Sequence, residues 1–234
     1  MDKINPILLH IETATEVCSV ALSEGEKLLA VCETADGNSH SKNLLPFIDK
    51  ALKEAHRKLK NIDGVVVSIG PGSYTGLRIG VSTAKSLAYS LEIPVITVST
   101  LESIAYGATP TDITPPYSIV PMIDARRMEV FTARFDENMQ LVDDVTSTIV
   151  DENTFTELLS NQKVIFCGNG MPKCKSLLEK YENAHFSDNT ISAKNMVVTA
   201  LKKWQKEDFA DVAYFEPFYL KEYVAAKPNV KGLH

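Results

Sequence analysis

The sequence has no excess of basic residues and no long apolar segment, and each absence excludes a class of protein. Its 234 residues include 24 Lys and Arg and 30 Asp and Glu, which gives a formal net charge of −6 at pH 7. A broad basic field that would hold nucleic acid strongly is therefore not expected. No run of about 18 apolar residues is present, so no membrane-spanning helix is expected. The first residues do not form a signal peptide, and we expect a cytoplasmic protein.

Cysteine and histidine are too sparse and too irregularly spaced to indicate a metal centre. The four cysteines contain no Cys-x-x-Cys pair, and reduced, mostly buried thiols are expected. No two of the five histidines lie four residues apart, and the chain has no His-Glu-x-x-His motif. We therefore expect no metal, and a metal-dependent peptidase is the least favoured of the functions considered.

The most informative segment that is present runs from Gly70 to Gly80 and contains four glycines. It joins a predicted strand over residues 64–69 to a predicted helix over residues 77–91. Such a turn can bind an anion through unpaired N–H groups at the start of the helix. It can equally let another backbone approach closely, because glycine has no Cβ atom. The first use indicates an enzyme, and the second indicates a partner of one.

Hydrophobic periodicity in the first half predicts a three-stranded meander, then a helix, a strand, a second helix and a strand. The predicted strands cover residues 7–11, 17–22, 28–33, 64–69 and 94–98, and the first helix begins near residue 42 and extends to about residue 59. Prolines cluster after residue 109 and mark a boundary. We predict an α/β fold with two lobes, residues 1–107 and 108–234.

Fewer elements are predicted in the second half. Its predicted strands cover residues 118–123, 129–135 and 164–167, and its predicted helices cover residues 154–159 and 193–206. The amphipathic 193–206 helix could pack back on the first lobe. The tail, residues 215–234, is predicted to be partly irregular. We expect both lobes to be mixed sheets of order β-β-β-α-β-α-β, with the second lobe a degenerate copy.

Short motifs in a fixed order along the chain resemble the bacterial TsaB (YeaZ) family of the actin-like (ASKHA) ATPase superfamily. They are residues 11–13, 40–46, 70–80, 98–101, 124–127 and 217–221. The resemblance implies two actin-like, RNase H-like lobes. It also implies a non-catalytic scaffold that binds and activates a TsaD-like catalytic subunit, which makes threonylcarbamoyladenosine next to the tRNA anticodon. A TsaE-like ATPase is implied as a further partner.

Two departures from relatives bear on function. TsaD-like proteins carry two metal-binding histidines where this chain has Thr100 and Ile104. An Ile cannot ligate a metal and a neutral Thr is a poor ligand, so the resemblance implies neither a metal nor a catalytic residue here. Met128 stands where TsaB proteins usually have Gly, which predicts an altered turn after Asp124.

Small residues recur at helical spacing along the glycine helix, and the sequence alone leaves their role open. They either let a partner helix approach or pack within the lobe. The resemblance favours the interface, because TsaB proteins pair through the two helices of the first lobe, including with themselves as a homodimer when alone. The partner-binding residues so implied are His40, Ser41, Leu44, Leu45, Phe47, Ile48, Gly72, Tyr74, Gly76, Arg78, Gly80, Ala84 and Ala88.

The alternative function is an ATP-binding phosphotransferase or hydrolase that uses ATP and Mg²⁺ between the lobes. Thr13 and Thr15 in the first hairpin would donate hydroxyl groups to phosphates, and Gly168 and Gly170 would approach the adenosine. The hairpin, residues 12–16, has no glycine and two carboxylates that repel a triphosphate. Plain turns are favoured at both places, and no cofactor is expected.

Overall fold

The computed structural model describes residues 3–36, 40–189 and 191–221 of the chain. They form two five-stranded mixed sheets with the same topology. The first sheet and its helices comprise β1 (Ile7–Glu12), β2 (Cys18–Glu24), β3 (Lys27–Thr34), α1 (His40–Glu54), β4 (Gly64–Ser68), α2 (Tyr74–Leu91), β5 (Val95–Val98) and, after it, α3 (Thr100–Gly107). The second comprises β6 (Tyr117–Asp124), β7 (Glu129–Asp136), β8 (Leu141–Ile149), α4 (Thr156–Asn161), β9 (Lys163–Cys167), α5 (Met171–Leu178), β10 (Ala184–Phe186) and α6 (Val197–Gln205).

Strand order is β3-β2-β1-β4-β5 in the first sheet and β10-β9-β6-β7-β8 in the second. In each, three strands form an antiparallel meander, and two further strands join in parallel beside the first of them. The order β-β-β-α-β-α-β expected for both lobes is confirmed. The second lobe keeps the order in full, with shorter helices.

Helix boundaries in the first lobe differ from the prediction for local reasons. Helix α2 begins at Tyr74 rather than at residue 77, because the Ser73 hydroxyl accepts a hydrogen bond from the N–H of Gly76 at 3.2 Å and caps the helix. Helix α1 ends at Glu54 and does not reach residue 59, since His56 adopts a positive φ of 52° that interrupts it.

Four elements were not predicted: α3, β8, α5 and β10. Strand β8 is exposed on both faces and carries no alternating apolar pattern, so its sequence resembles a loop. Strand β10 has three residues, too few for any periodicity. The 193–206 helix is divided into a short 3-10 turn, Ala193–Met196, followed by α6.

Helices from each half of the chain cover both sheets. Helices α1 and α2 pack on one face of the first sheet, and α6 packs on the other, with Trp204 against Leu8 and Val66. Helix α3 lies within residues 1–107, yet Leu101 and Ile104 pack in the core of the second sheet. Each half of the chain therefore contributes one helix to the core of the other half: α3 to the second sheet and α6 to the first. Among the described residues, no helix is both long and apolar enough to cross a bilayer.

Candidate functional site

The glycine loop, residues 70–80, packs directly against the turn that joins β1 to β2. A Cβ atom on Gly72 would lie 2.2 Å from the carbonyl oxygen of Ala14, and one on Gly76 would lie 2.1 Å from that of Thr13. A Cβ atom on Gly80 would lie 2.3 Å from Oγ1 of Thr13. Only glycine allows these approaches. The glycine run therefore serves close packing of the chain against itself.

Hydrogen bonds hold the loop and the hairpin together. The N–H of Ser73 donates to the carbonyl of Ala14 at 2.6 Å, and the Thr13 hydroxyl donates to the carbonyl of Gly76 at 2.8 Å. The side chain of Thr13 is fully buried. The Ser73 N–H and the Thr13 hydroxyl, two groups that could otherwise bind phosphate, are thus used within this lobe.

The structure places the small-residue stripe, which the family resemblance assigned to a partner interface, inside the first lobe. All four residues, Gly76, Gly80, Ala84 and Ala88, are buried within the lobe. This is the second of the two roles that the sequence left open, because the stripe faces the hairpin and its own sheet.

The other predicted partner residues divide between the core and the surface. Helix α1 buries His40, Leu44 and Ile48, of which Leu44 and Ile48 lie in the first core. The residues left on the surface are Ser41, Leu45 and Arg78, with Phe47, Gly72 and Tyr74 half-buried. A partner that docks on α1 and α2 meets only these six of the predicted residues directly.

A buried carboxyl group closes the end of β1. Oε1 of Glu12 accepts hydrogen bonds from the Ala14 N–H and the Ser68 hydroxyl, both at 2.7 Å. Its other oxygen, Oε2, has no hydrogen-bond partner among the described residues. Burial raises the pKa of Glu12 to about 7. The carboxyl group is therefore held largely protonated below neutral pH.

Between the two lobes lies an open cleft of about 900 Å³. The amide of Asn169 joins its two walls, because its nitrogen donates to Glu16 at 2.7 Å and its oxygen accepts from the N–H of Asp124 at 3.1 Å. His40 also lines the cleft, and its Nε2 lies 2.8 Å from the carbonyl of Thr15. The first hairpin and the Gly168–Gly170 turn thus face each other, as an interlobe site requires.

The residues of the alternative nucleotide site are nevertheless used for packing. Gly168 has a φ of 88°, and a Cβ atom there would lie 2.4 Å from the carbonyl oxygen of Met122. A Cβ atom on Gly170 would lie 2.9 Å from the carbonyl carbon of Ile123. Thr15 is buried, and its Oγ1 accepts from the N–H of Val17 at 3.3 Å. These are structural roles of a tight turn.

The turn after β6 forms the second-lobe wall of the cleft. Asp124 accepts a hydrogen bond from the N–H of Arg126 at 2.8 Å and forms an ion pair with Lys173. Burial alone would raise the pKa of Asp124, but the hydrogen bonds from Lys173 and Arg126 lower it overall. Arg126 and Arg127 have positive φ values of 72° and 50°. The arginines, rather than the residue at 128, therefore adopt the backbone conformation that favours glycine.

Thr100, at the start of α3, holds the first residue of the glycine loop. Its hydroxyl accepts a hydrogen bond from the N–H of Gly70 at 3.1 Å, and it is fully buried, as Ile104 nearly is. Within the described ranges, no group of three or more His, Cys, Asp or Glu side chains is arranged to hold a metal ion. The two positions that match the histidines of TsaD-like proteins thus have structural contacts here.

A tail segment beside the glycine loop was missed as part of the site. The N–H of Phe218 donates to the carbonyl of Ile69 at 2.6 Å, and a Cβ atom on Gly70 would lie 2.4 Å from the Phe218 carbonyl oxygen. The ring of Tyr219 lies 4.9 Å from that of Tyr74. The signal in the sequence was the 217–221 motif, which matched the family without an assigned role.

Comparison with known proteins identifies the family. The model of a family described as TsaD, tRNA N6-adenosine threonylcarbamoyltransferase, matches residues 33–229. A Bacillus subtilis (strain 168) protein named tRNA threonylcarbamoyladenosine biosynthesis protein TsaB is 31% identical over 221 residues, which covers 92% of this chain and 93% of that protein. This chain belongs to the TsaB family.

Other members of the TsaB family agree. The Escherichia coli (strain K12) protein of the same name is 30% identical over 227 residues, 94% of this chain and 96% of that protein. The structure of YeaZ from Pseudomonas aeruginosa superimposes with a TM-score of 0.77 at 24% identity and covers 92% of this chain and all of that one. The fold is the two-lobed arrangement of that YeaZ structure, as expected for a TsaB protein.

Proposed function

We propose that this chain is a non-catalytic subunit required for the synthesis of tRNA threonylcarbamoyladenosine, and that it binds and activates a TsaD-like catalytic subunit. Its relatives at about 30% identity are named for that pathway. The observation that carries the proposal is the glycine loop, whose approach to Thr13 and Ala14 is too close for phosphate to enter between them.

The proposed docking face is the outer side of helices α1 and α2. Leu45 is 62% exposed on α1, Tyr89 is 83% exposed on α2, and Arg78 is exposed near the start of α2. Exposed apolar and aromatic side chains on adjacent helices fit a protein interface. The buried stripe beneath them supports this face without touching the partner.

The remaining parts of the proposal follow the family pattern. In the absence of the catalytic subunit, the same face pairs two copies of the chain about a two-fold axis. A TsaE-like ATPase is a further partner, and the protein works in the cytoplasm without binding tRNA strongly by itself. Four free, buried cysteines fit a reducing compartment.

The experiment is a calorimetric titration of the chain with the TsaD-like subunit from the same cell. We expect tight one-to-one binding by the wild type and at least tenfold weaker binding by Leu45→Asp. Leu141→Asp is the matched control, because Leu141 is 51% exposed on β8 of the second lobe. Equal binding by all three proteins would contradict the docking face.

One observation keeps the ATP-binding alternative in view, namely the open interlobe cleft of about 900 Å³. A titration of the isolated chain with ATP and Mg²⁺ separates the two functions. We expect no measurable heat. Saturable binding that Thr15→Val or Gly170→Val abolishes, without loss of fold, would replace the scaffold with the nucleotide-binding function.

A further inference from the structure

The last described segment of the chain runs along helix α2 as a strap, defined here as residues 213–221, which begins in a turn and continues without regular secondary structure. Nζ of Lys85 donates to the carbonyl of Ala213 at 3.2 Å and lies 4.6 Å from the centre of the Phe215 ring. At its other end the strap reaches Tyr74 through Tyr219 and forms an ion pair between Lys221 and Glu129 of the second lobe. It therefore follows α2 from Lys85 back to Tyr74 and ends across the cleft.

The strap is fixed to the first lobe by its backbone and by some of its side chains. Phe215 packs against the first core, and Phe218 is bonded through its N–H to Ile69. Gly70 has a φ of 119° and leaves room for the Phe218 carbonyl that no other residue would leave. An ordered, pre-formed surface loses little conformational entropy when a partner binds.

Its remaining aromatic side chains are partly or largely exposed. Tyr214 is 82% exposed, Phe218 42% and Tyr219 38%. Tyr89 on α2 is 83% exposed, and these four are the most exposed aromatic side chains in the part of the chain that the structure describes. Tyr89 lies one helical turn beyond Lys85, which the strap contacts. Among the described residues, the most exposed aromatic side chains thus lie on α2 and the strap beside it.

We propose that the strap is the third element of the face that binds the TsaD-like catalytic subunit, with Tyr214 and Phe218 as its anchors. This inference rests on the proposed function. Aromatic side chains are enriched at the centres of interfaces, where they bury a large area at little entropic cost. Continuity with the proposed docking face supports this occupant, because the strap borders the same α2 surface that carries Arg78 and Tyr89.

The test measures the affinity of the full chain for the TsaD-like subunit by calorimetry. Tyr214→Ala and Phe218→Ala are each expected to weaken binding about tenfold or more. Ile149→Ala is the matched control, because Ile149 is a large apolar side chain, 71% exposed, on the second lobe. Tyr214→Phe should bind as the wild type does, since it keeps the ring. Thermal unfolding of each variant checks that the fold is intact.

The outcomes separate this inference from the function on which it rests. If the wild type binds and Leu45→Asp weakens binding while Tyr214→Ala and Phe218→Ala do not, the strap lies outside the interface and the inference fails alone. If the wild type does not bind the TsaD-like subunit, the proposed function fails and the strap loses its partner with it. Loss of self-association without loss of subunit binding would assign the strap to the homodimer and overturn the inference.

Discussion

The two lobes share one topology, but the turn that follows the first strand of each sheet has different surroundings in the two lobes. Glu12 ends β1 and Asp124 ends β6, and these strands hold equivalent places in their sheets. In both lobes, a glycine-containing turn before a helix packs on the residues that follow or form that strand end. Both turns line the cleft, but the strand-end carboxyl group is fully buried in the first lobe and partly exposed in the second.

The carboxyl groups at the two strand ends show the contrast most clearly. Glu12 is fully buried, and burial raises its pKa. The side chain of Asp124 is 46% exposed, and the Lys173 ammonium and the Arg126 N–H lower its pKa. Topology therefore fixes where a turn lies, while the surrounding side chains decide whether the turn is part of a core or part of a surface. The difference can be tested by changes at equivalent positions.

The largest effect is expected from a methyl group at the first glycine turn. Gly76→Ala would place Cβ 2.1 Å from the Thr13 carbonyl oxygen, so the hairpin must move, and we expect a loss of about 3 kcal/mol or more in the free energy of unfolding. Gly170→Ala, at 2.9 Å from Ile123, should cost about 1–2 kcal/mol. Urea unfolding measures both.

The same argument applies to the bulkier change Gly80→Leu. It is expected to unfold the first lobe rather than only to break pairing, because Thr13 occupies the space that the side chain would need. A folded, monomeric Gly80→Leu protein would show that the space beside Thr13 can hold a side chain. Equal losses in the free energy of unfolding for Gly76→Ala and Gly170→Ala would show that the two turns are packed alike.

A pH effect of opposite sign is expected at the two strand ends. The raised pKa of Glu12 means that the folded chain keeps a proton that the unfolded chain releases above about pH 4.5. Its contribution to stability is therefore complete below that pH and falls by about 2–3 kcal/mol as the pH rises towards 7. Glu12→Gln should remove this slope in unfolding experiments at a series of pH values.

The lowered pKa of Asp124 acts in the other direction. Its contribution is present above the unfolded pKa of 3.8 and is lost as the pH falls through the lower folded value. Asp124→Asn is the matched change, and it should flatten the acid limb only, with a small effect because the carboxylate is partly exposed. If Glu12→Gln leaves the slope between pH 4.5 and 7 unchanged, the carboxyl group is not the buried acid described here.

The smallest effect is expected from the hydrogen bonds that hold each turn. Thr13→Val removes the donor to the Gly76 carbonyl and leaves that group buried, which should cost about 1–2 kcal/mol. Asn169→Ala removes the exposed link between Glu16 and Asp124 and should cost about 0.5 kcal/mol. Thermal unfolding measures both losses. A larger loss for Asn169→Ala would show that the exposed hydrogen bonds of the second-lobe turn stabilise the protein more than the buried bond of the first.

Local pattern predicted much of the fold. All five strands of the first sheet were predicted within about two residues of their bounds, because their apolar runs are short and bordered by turn residues. Strand β8 escaped prediction because it is an exposed edge strand, and α5 and β10 because eight and three residues carry little periodicity. The site was predicted less well: the glycine run was found, but the sequence left open whether its small residues pack within the lobe or against a partner, and the structure buries them within the lobe.

The sequence by itself determined the order of the elements, the position of the glycine turn and the family, since these depend on periodicity and on short motifs that residues carry locally. Only the tertiary structure decided what the glycines touch, which carboxyl group is buried, and that the strap lies along α2. Each of these depends on contacts between residues far apart in the chain, such as Thr13 with Gly76 and Ile69 with Phe218. Local patterns leave such distant pairings open, because the same glycine-rich turn can pack on its own chain or on a partner.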